Sequence, residues 1–492
     1  MEWTSLLKAE KERQKSSVTK TTNDKRSPFK ADLDTVCNCT GIRRLQDKAQ
    51  VFPLEKSDYA RTRLTHSLEV MSIAESLGVH AVKVILEKEN PEEEETKELL
   101  MEIPVILRAA ALLHDMGNPP FGHLGEGIIA GWFKEKLSTL IYDSNDKKVL
   151  FSDKAGKGVD SLVNKLSAEQ QADLELFEGN AQLLRLITRL SYVVDEHGMN
   201  LTYPVLATII KYPCSAFRCK ENKEKNATTL LTKKPGYFCS EKDLYQRINK
   251  SLKLGGKRHP LTFLLEAADD IAYLTADIED AHKKGIISFS MVENRFKSSE
   301  YKDNKFVQRI LAEINKYREQ GLEKGVSDID NYVMQRLRIF IKGNMISQAM
   351  DSFSENYWEI MNGSFENELL MMVEAKDVVK IIKEQIEQKH IYYCKEIVES
   401  KIRAYRILST LLDSFVLSVF NVENNGSKDE RDSLIYNLLS DNYRFMCDKA
   451  NEGKTKLSGD YVYNKLLLVT DVVCGMTDSY ALDIYDILMA HD

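Results

Sequence analysis

Glycine and proline are both scarce, 23 and 10 in 492 residues. So few turn formers leave little room for many short strands and favour long elements instead. Cysteine is sparse too. The eight thiols, at 37, 39, 214, 219, 239, 394, 447 and 474, are dispersed and form no CxxC framework, so they read as reduced packing residues. A lone Cys37-Asn-Cys39 pair is thin ground for a metal centre. The opening MEWTSLLKAEKERQKSS has no apolar core of the kind a secretory signal needs. No run approaches the roughly 18 apolar residues of a bilayer span. A cytoplasmic location and no membrane partner are therefore expected. Neither charge sign dominates: 68 basic and 75 acidic residues give a net charge of −7, which does not suggest a general nucleic-acid coat. A local basic pocket remains compatible with that balance.

What is present is hydrophobic material, 43% of the chain, in a length beyond one ordinary domain. Residues 1 to about 35 are polar and predict a short helix followed by a loose arm. Leu64, Leu68, Met71, Ala74 and Leu77 form a helical stripe around His66. The acidic tract at 87–98 reads as a solvated loop or helix start. IPVILRAAALLHD (103–115) predicts a buried helix, with Pro104 in its first turn and Gly117, Pro119 and Pro120 ending it. A second helix is expected at 124–137, then an insertion or flexible loop at 140–170, helix at 176–190, a small hairpin at 228–241 and a long helix at 260–285. From 291 the pattern is helical almost throughout, broken at 422–432. The expected class is all-α, with at most a small β-hairpin.

The stretch ALLHDMGNPPFGHLGE (111–126) concentrates His114, Asp115, His123 and Glu126 around a Gly-Pro break between apolar runs. Adjacent residues on a helix do not face each other, but at a helix end His114 and Asp115 can reach one point. An imidazole nitrogen with a carboxylate oxygen is a common start to a divalent metal site. Adding His66 and Asp269, in EAADDIAYL, gives a His2Asp2 set whose charge suits one Mn2+, Fe2+ or Mg2+. The plainer alternatives are a satisfied core histidine, a helix-capping Asp115 and a surface Asp270. The dipeptide alone decides nothing, since His491-Asp492 repeats it at the last two positions.

The ordered set His66, His114-Asp115, Asp269 resembles the H…HD…D signature of HD-domain phosphohydrolases. RRLQDKAQVFPLE, RTRLTHSLEV, HDMGNPPFGHLGE, FEGNAQ, KKPGY, EAADDIAY and GMTDSYA, spread from 43 to 481, more closely resemble the bacterial deoxyguanosine triphosphate triphosphohydrolases. The resemblance implies an all-helical HD core and hydrolysis of dGTP at the α-phosphorus to deoxyguanosine and tripolyphosphate, which would control the dNTP pool. It also implies one divalent metal, a homo-oligomer, often a hexamer, and single-stranded DNA as an accessory ligand. The corresponding division is an N-terminal arm with a base-reading helix (1–60), a catalytic core (61–290) and a C-terminal helical region packed on it (291–492).

On that resemblance His66, His114, Asp115 and Asp269 hold the metal. His123 moves a proton, to the 5′-oxygen or from the water, and Glu126, three residues on, orients its imidazole. Arg63, Lys211, Tyr212 and Lys233, with Lys234 beside it, meet the phosphates. Tyr273 lies under the deoxyribose, Asp277 accepts from the 3′-hydroxyl, Gln50 faces the base and Asn180 meets a phosphate or sugar oxygen, or caps a helix. The stretches 140–170 and 290–460 give no family block. A broader dNTP triphosphohydrolase switched on by another dNTP, and an HD phosphodiesterase or 5′-nucleotidase, are the neighbouring readings.

Overall fold

The computed structural model describes residues 1–13, 24–55, 57–153, 158–191, 197–424 and 430–490. The His491-Asp492 repeat and parts of the polar segments at 1–35, 140–170 and 422–432 lie outside them. Among the described residues the fold is helical apart from one small antiparallel sheet.

Four helices frame the centre. Helix α1 (Arg63–Glu89) starts on a capping box between Thr62 and Thr65 and ends at Asn90, whose φ is 45°. Its buried face carries His66, Val70, Ile73, Ala74, Leu77 and Ala81. The expected stripe is rotated: Ala74 and Leu77 are inside, Leu64 and Met71 are half-buried, and Leu68 is 45% exposed. Helix α2 (Ile103–Leu113) has Pro104 in its first turn and is apolar almost all round, so it runs through the interior. At Gly78 a side chain would press on Pro104 Cα and Leu107 Cδ1, so this glycine lets α1 and α2 close together. Helix α3 (Gly122–Lys136) follows the Gly-Pro break. Helix α4 (Pro260–Lys283) packs across α1 and α2 and starts with His259 as its cap.

The predicted hairpin at 228–241 does not form. That segment holds two short 3-10 turns and one isolated bridge from Tyr237 to Ser215. Its aromatics are core: Tyr237 stacks on Tyr245 and Phe238 packs on Phe177. The strands lie in the stretch read as a loop. β1 (Leu140–Asp143) pairs antiparallel with β2 (Lys148–Phe151) on one side and β3 (Val159–Ser161) on the other. Nor is the N-terminal segment wholly loose, since Trp3, Leu6 and Leu7 are buried and residues Pro28–Cys37 form a helix burying Phe29, Leu33 and Val36.

Two hydrophobic cores result. One contains α1, α2, α4 and the helical chain from Phe289 to Ile397. The other joins α3 and the sheet to helices α5 (Lys395–Asn424), α6 (Gly459–Gly475) and α7 (Asp478–Met489). Within α5, residues Lys395–Val422 are long and apolar enough to cross a membrane by length and composition alone. Here Leu408, Leu411, Leu412, Phe415 and Val416 are fully buried against α3 and α6, so packing accounts for the apolarity.

Candidate active site

α1, α2 and α4 bring four separated ligand candidates together. His66 Nε2 is 3.0 Å from Asp269 Oδ1, and His114 Nε2 is 3.5 Å from the same oxygen. The ligand atoms of these three residues all lie within 4.8 Å of one another. Asp115 stands at their edge: its Oδ2 is 3.6 Å from His114 Nε2 and 4.0 Å from His66 Nε2. That oxygen is also ion-paired with Arg63 at 2.8 Å, in a direction that forms no hydrogen bond. Its Oδ1 accepts from Asn118 Nδ2.

The donor set fits a divalent cation. His114 Nδ1–H donates to the Ala111 carbonyl at 2.6 Å, which turns Nε2 toward Asp269. His114 Nε2 is buried without a hydrogen-bond partner, and Asp115 Oδ2 has only its ion pair with Arg63. Such atoms are costly unless something pairs with them. Burial works against charge on His114, yet Asp115 and Asp269 outweigh it and push its pKa up to about 9. Burial likewise opposes the Asp115 carboxylate, but Arg63, His114 and His66 hold it down to about 2. The pocket thus favours a positive charge between its carboxylates.

His123 follows two left-handed residues, Phe121 (φ 63°) and Gly122 (φ 60°), which turn the chain back toward this cluster. A side chain at Gly122 would collide with the Arg63 guanidinium. His123 Nδ1 bonds Glu126 Oε2 at 2.9 Å, and Glu126 Oε1 accepts the Gly179 amide at 3.0 Å. The Glu126 contact raises the His123 pKa. The imidazole is 78% exposed, so it meets solvent and any ligand.

The cluster opens into a cavity of about 920 Å3. Gln50, Arg63, Asn180, Lys211, Tyr212, Lys233, Tyr273 and Asp277 all line it, with His123 and the four ligand candidates. Glu126 does not; it stands behind His123 and faces a neighbouring cleft. Lys211 is paired with Glu266 at 3.0 Å, and Lys234 with Glu178 at 2.6 Å. Asn180 is drawn to Glu178, to which its amide and Nδ2 donate. Lys233 is exposed and has no carboxylate partner among the described residues.

The far end is carboxyl-rich. Asp277 Oδ1 and Glu387 Oε1 are buried without a partner. Burial drives the Asp277 pKa up, with Glu387 and Asp280 adding to it, and burial brings Glu387 to about 8. Asp270 is no surface acid: it lines the cavity, pairs with Lys383 at 3.2 Å and is pushed by burial up to about 6. Lys383 lies 5.0 Å over the Tyr273 ring. Lys383, Glu387 and Tyr392 escape sequence reasoning. They lie on or just after a π-helical stretch, Ile381–Ile391, and nothing local distinguishes them from other polar helix residues.

A helical core with His66, His114-Asp115 and Asp269 around one point is the arrangement of an HD-domain hydrolase, and the HD domain family matches residues 63–149. The chain is 41% identical over 99% of its length to a deoxyguanosinetriphosphate triphosphohydrolase-like protein of Listeria monocytogenes, covering 98% of that protein. It is 32% identical to the deoxyguanosinetriphosphate triphosphohydrolase of Serratia proteamaculans and 31% to that of Salmonella typhimurium, covering 94% of this chain in both cases and 94% and 93% of those proteins. The chain belongs to the deoxyguanosinetriphosphate triphosphohydrolase family, and it is an enzyme.

Proposed function

We propose that this enzyme hydrolyses dGTP at the α-phosphorus, giving deoxyguanosine and tripolyphosphate and so lowering the dGTP pool. The observation that carries this reading is the convergence of His66, His114 and Asp269, with the unpartnered His114 Nε2, at the wall of a nucleotide-sized cavity. His66, His114, Asp115 and Asp269 would hold one divalent cation, Mn2+, Mg2+ or Fe2+. Bound there, it supplies Lewis acidity toward the α-phosphate and a more acidic water.

The rest falls to side chains. Water oxygen bonds the α-phosphorus, the bond from phosphorus to O5′ breaks, and O5′ gains a proton while the water loses one to the medium. His123, whose pKa the Glu126 contact raises, delivers the proton to O5′, and Glu126 holds the imidazole by its Nδ1–H. Arg63, Lys211 and Lys233 face the triphosphate. Tyr273 packs under the sugar and leaves no room for a 2′-hydroxyl. Asp277 takes the 3′-hydroxyl on its unpartnered oxygen, and Gln50 offers its buried Oε1 to the base. The test is a panel of single dNTPs with Mn2+ and chromatographic product analysis. Deoxyguanosine and tripolyphosphate from dGTP, well ahead of the other three, is the expected result. Equal turnover of all four would remove guanine selectivity, and release of dGMP or orthophosphate would move the point of cleavage.

A further inference from the structure

Beside the main cavity lies a second cleft of about 530 Å3. The two share His123, Lys233 and Lys234 as wall. The cleft continues past these residues to Lys134, on α3, and Lys223, on the helix Ala216–Glu224. Three carboxylates also line it, and each is already engaged. Glu126 holds His123 and the Gly179 amide, Glu178 holds Lys234 and Asn180, and Glu175 pairs with Lys220 at 2.9 Å. Lys134, Lys223 and Lys233 have no carboxylate partner among the described residues and are exposed. In a chain of net charge −7, a concave wall with its acids paired and three ammonium groups left over is a local positive field.

The opposite end of the main cavity has no comparable attraction for an anion. Its carboxyls are Asp270, Asp277, Glu368 and Glu387. Its lysines are taken, Lys383 by Asp270 and Lys401 by the Tyr392 carbonyl. A polyanion freed beside His123 therefore finds free cations in one direction only.

We propose that the second cleft binds inorganic tripolyphosphate and conducts it out, so that the two products leave by different openings. This rests on the proposed hydrolysis. The nucleoside returns through the main mouth, and the polyphosphate passes Lys233 and Lys234 into the cleft, where Lys134 and Lys223 receive it. These two lysines line only the cleft, so they separate the product route from substrate binding.

The test is calorimetric titration of inorganic tripolyphosphate into the full-length enzyme with excess Mg2+, for wild type, K134E/K223E and the milder K134Q/K223Q. Charge reversal is expected to weaken tripolyphosphate binding about tenfold or more, a modest sum for two charge-assisted contacts. The glutamine pair should fall between, and the KM for dGTP should stay within about twofold, since uniform substrate binding is untouched. Product inhibition by added tripolyphosphate should weaken in parallel. Unchanged tripolyphosphate affinity in K134E/K223E overturns the proposal, as does a rise in the KM for dGTP equal to the loss of tripolyphosphate affinity. Tighter binding of a short single-stranded oligodeoxynucleotide than of tripolyphosphate, lost in the same variant, would reassign the cleft to nucleic acid. Titration needs no turnover, so it judges the cleft independently of product analysis, which judges the reaction.

Discussion

The carboxylate of Asp478 holds the amide of Phe121, with Oδ1 accepting at 2.9 Å, while its other oxygen accepts the Ala49 amide at 3.0 Å. One side chain from α7 thus joins the loop that leads into His123 to the loop that carries Gln50. Lys48 reinforces the junction: its buried ammonium donates to the carbonyls of Asn118, at 2.6 Å, and Cys474, at 2.7 Å. Burial lowers the Lys48 pKa to about 8, so this tie is made at a real desolvation cost. The GMTDSYA block is the C-terminal end of this clamp.

Asp478→Asn keeps the size but can accept only one of the two amides. Losing one charge-assisted bond of this kind costs about 1.5–3 kcal/mol. Because the freed loop leads directly into His123, kcat is expected to fall about ten- to a hundredfold, the scale of a small misplacement. Bound metal should be unchanged, since none of the four ligand candidates is held by Asp478. Metal analysis beside kcat checks this, and loss of metal together with activity would refute a positioning role.

His114→Ala removes the Nε2 that has no hydrogen-bond partner and leaves His66 as the one imidazole beside Asp115 and Asp269. Metal content by elemental analysis and dGTPase activity should both fall to background. Chelation of the wild type should do the same to activity, with recovery on adding Mn2+.

His123→Ala should keep its metal and lose turnover by about 10²-fold or more, the usual worth of a positioned acid or base. Glu126→Gln tests the pair differently. Glu126 raises the His123 pKa, so removing its charge lowers that pKa. An acid role needs the protonated imidazole, so the high-pH limb of the kcat profile should move to lower pH. A limb that stays in place would separate His123 from the titration.

The helices that bear the candidate metal cluster were legible from their apolar patterning. The ligand set itself was picked out by the resemblance to HD-domain phosphohydrolases; the residue pattern alone only pointed to it. Ionisable residues placed among apolar neighbours, as at His66, His114 and Asp269, must find partners inside the fold. The small sheet was not legible because its strands are three or four residues long, only half-buried, and set among polar stretches rich in Asp and Lys. Gly236 and its aromatic neighbours misled in the other direction. They look like a hairpin turn, but Gly236 is there because a side chain would strike the Tyr212 carbonyl. Glu387 and Lys383 acquire meaning only from tertiary placement opposite α4, which no local pattern encodes.

His259 gives a stability prediction of defined sign. It is buried, its Nε2–H donates to the Leu6 carbonyl at 3.1 Å, and its Nδ1 accepts the Leu261 amide at 3.2 Å. Burial lowers its pKa to about 4, against 6.5 when unperturbed. Above pH 6.5 both folded and unfolded chains hold it neutral, and it contributes no pH dependence. Between the two values only the unfolded chain gains the proton, so stability falls as the pH drops through this window. The loss attributable to this one group is about 2 kcal/mol at pH 5 and about 3 kcal/mol at pH 4. His259→Asn retains a side chain suited to capping α4 but cannot titrate. Its stability in urea should start lower at pH 7.5, because the bond to Leu6 is lost, yet fall less steeply toward pH 5 than that of the wild type. Parallel pH profiles for the two proteins would show that His259 is not held neutral by burial.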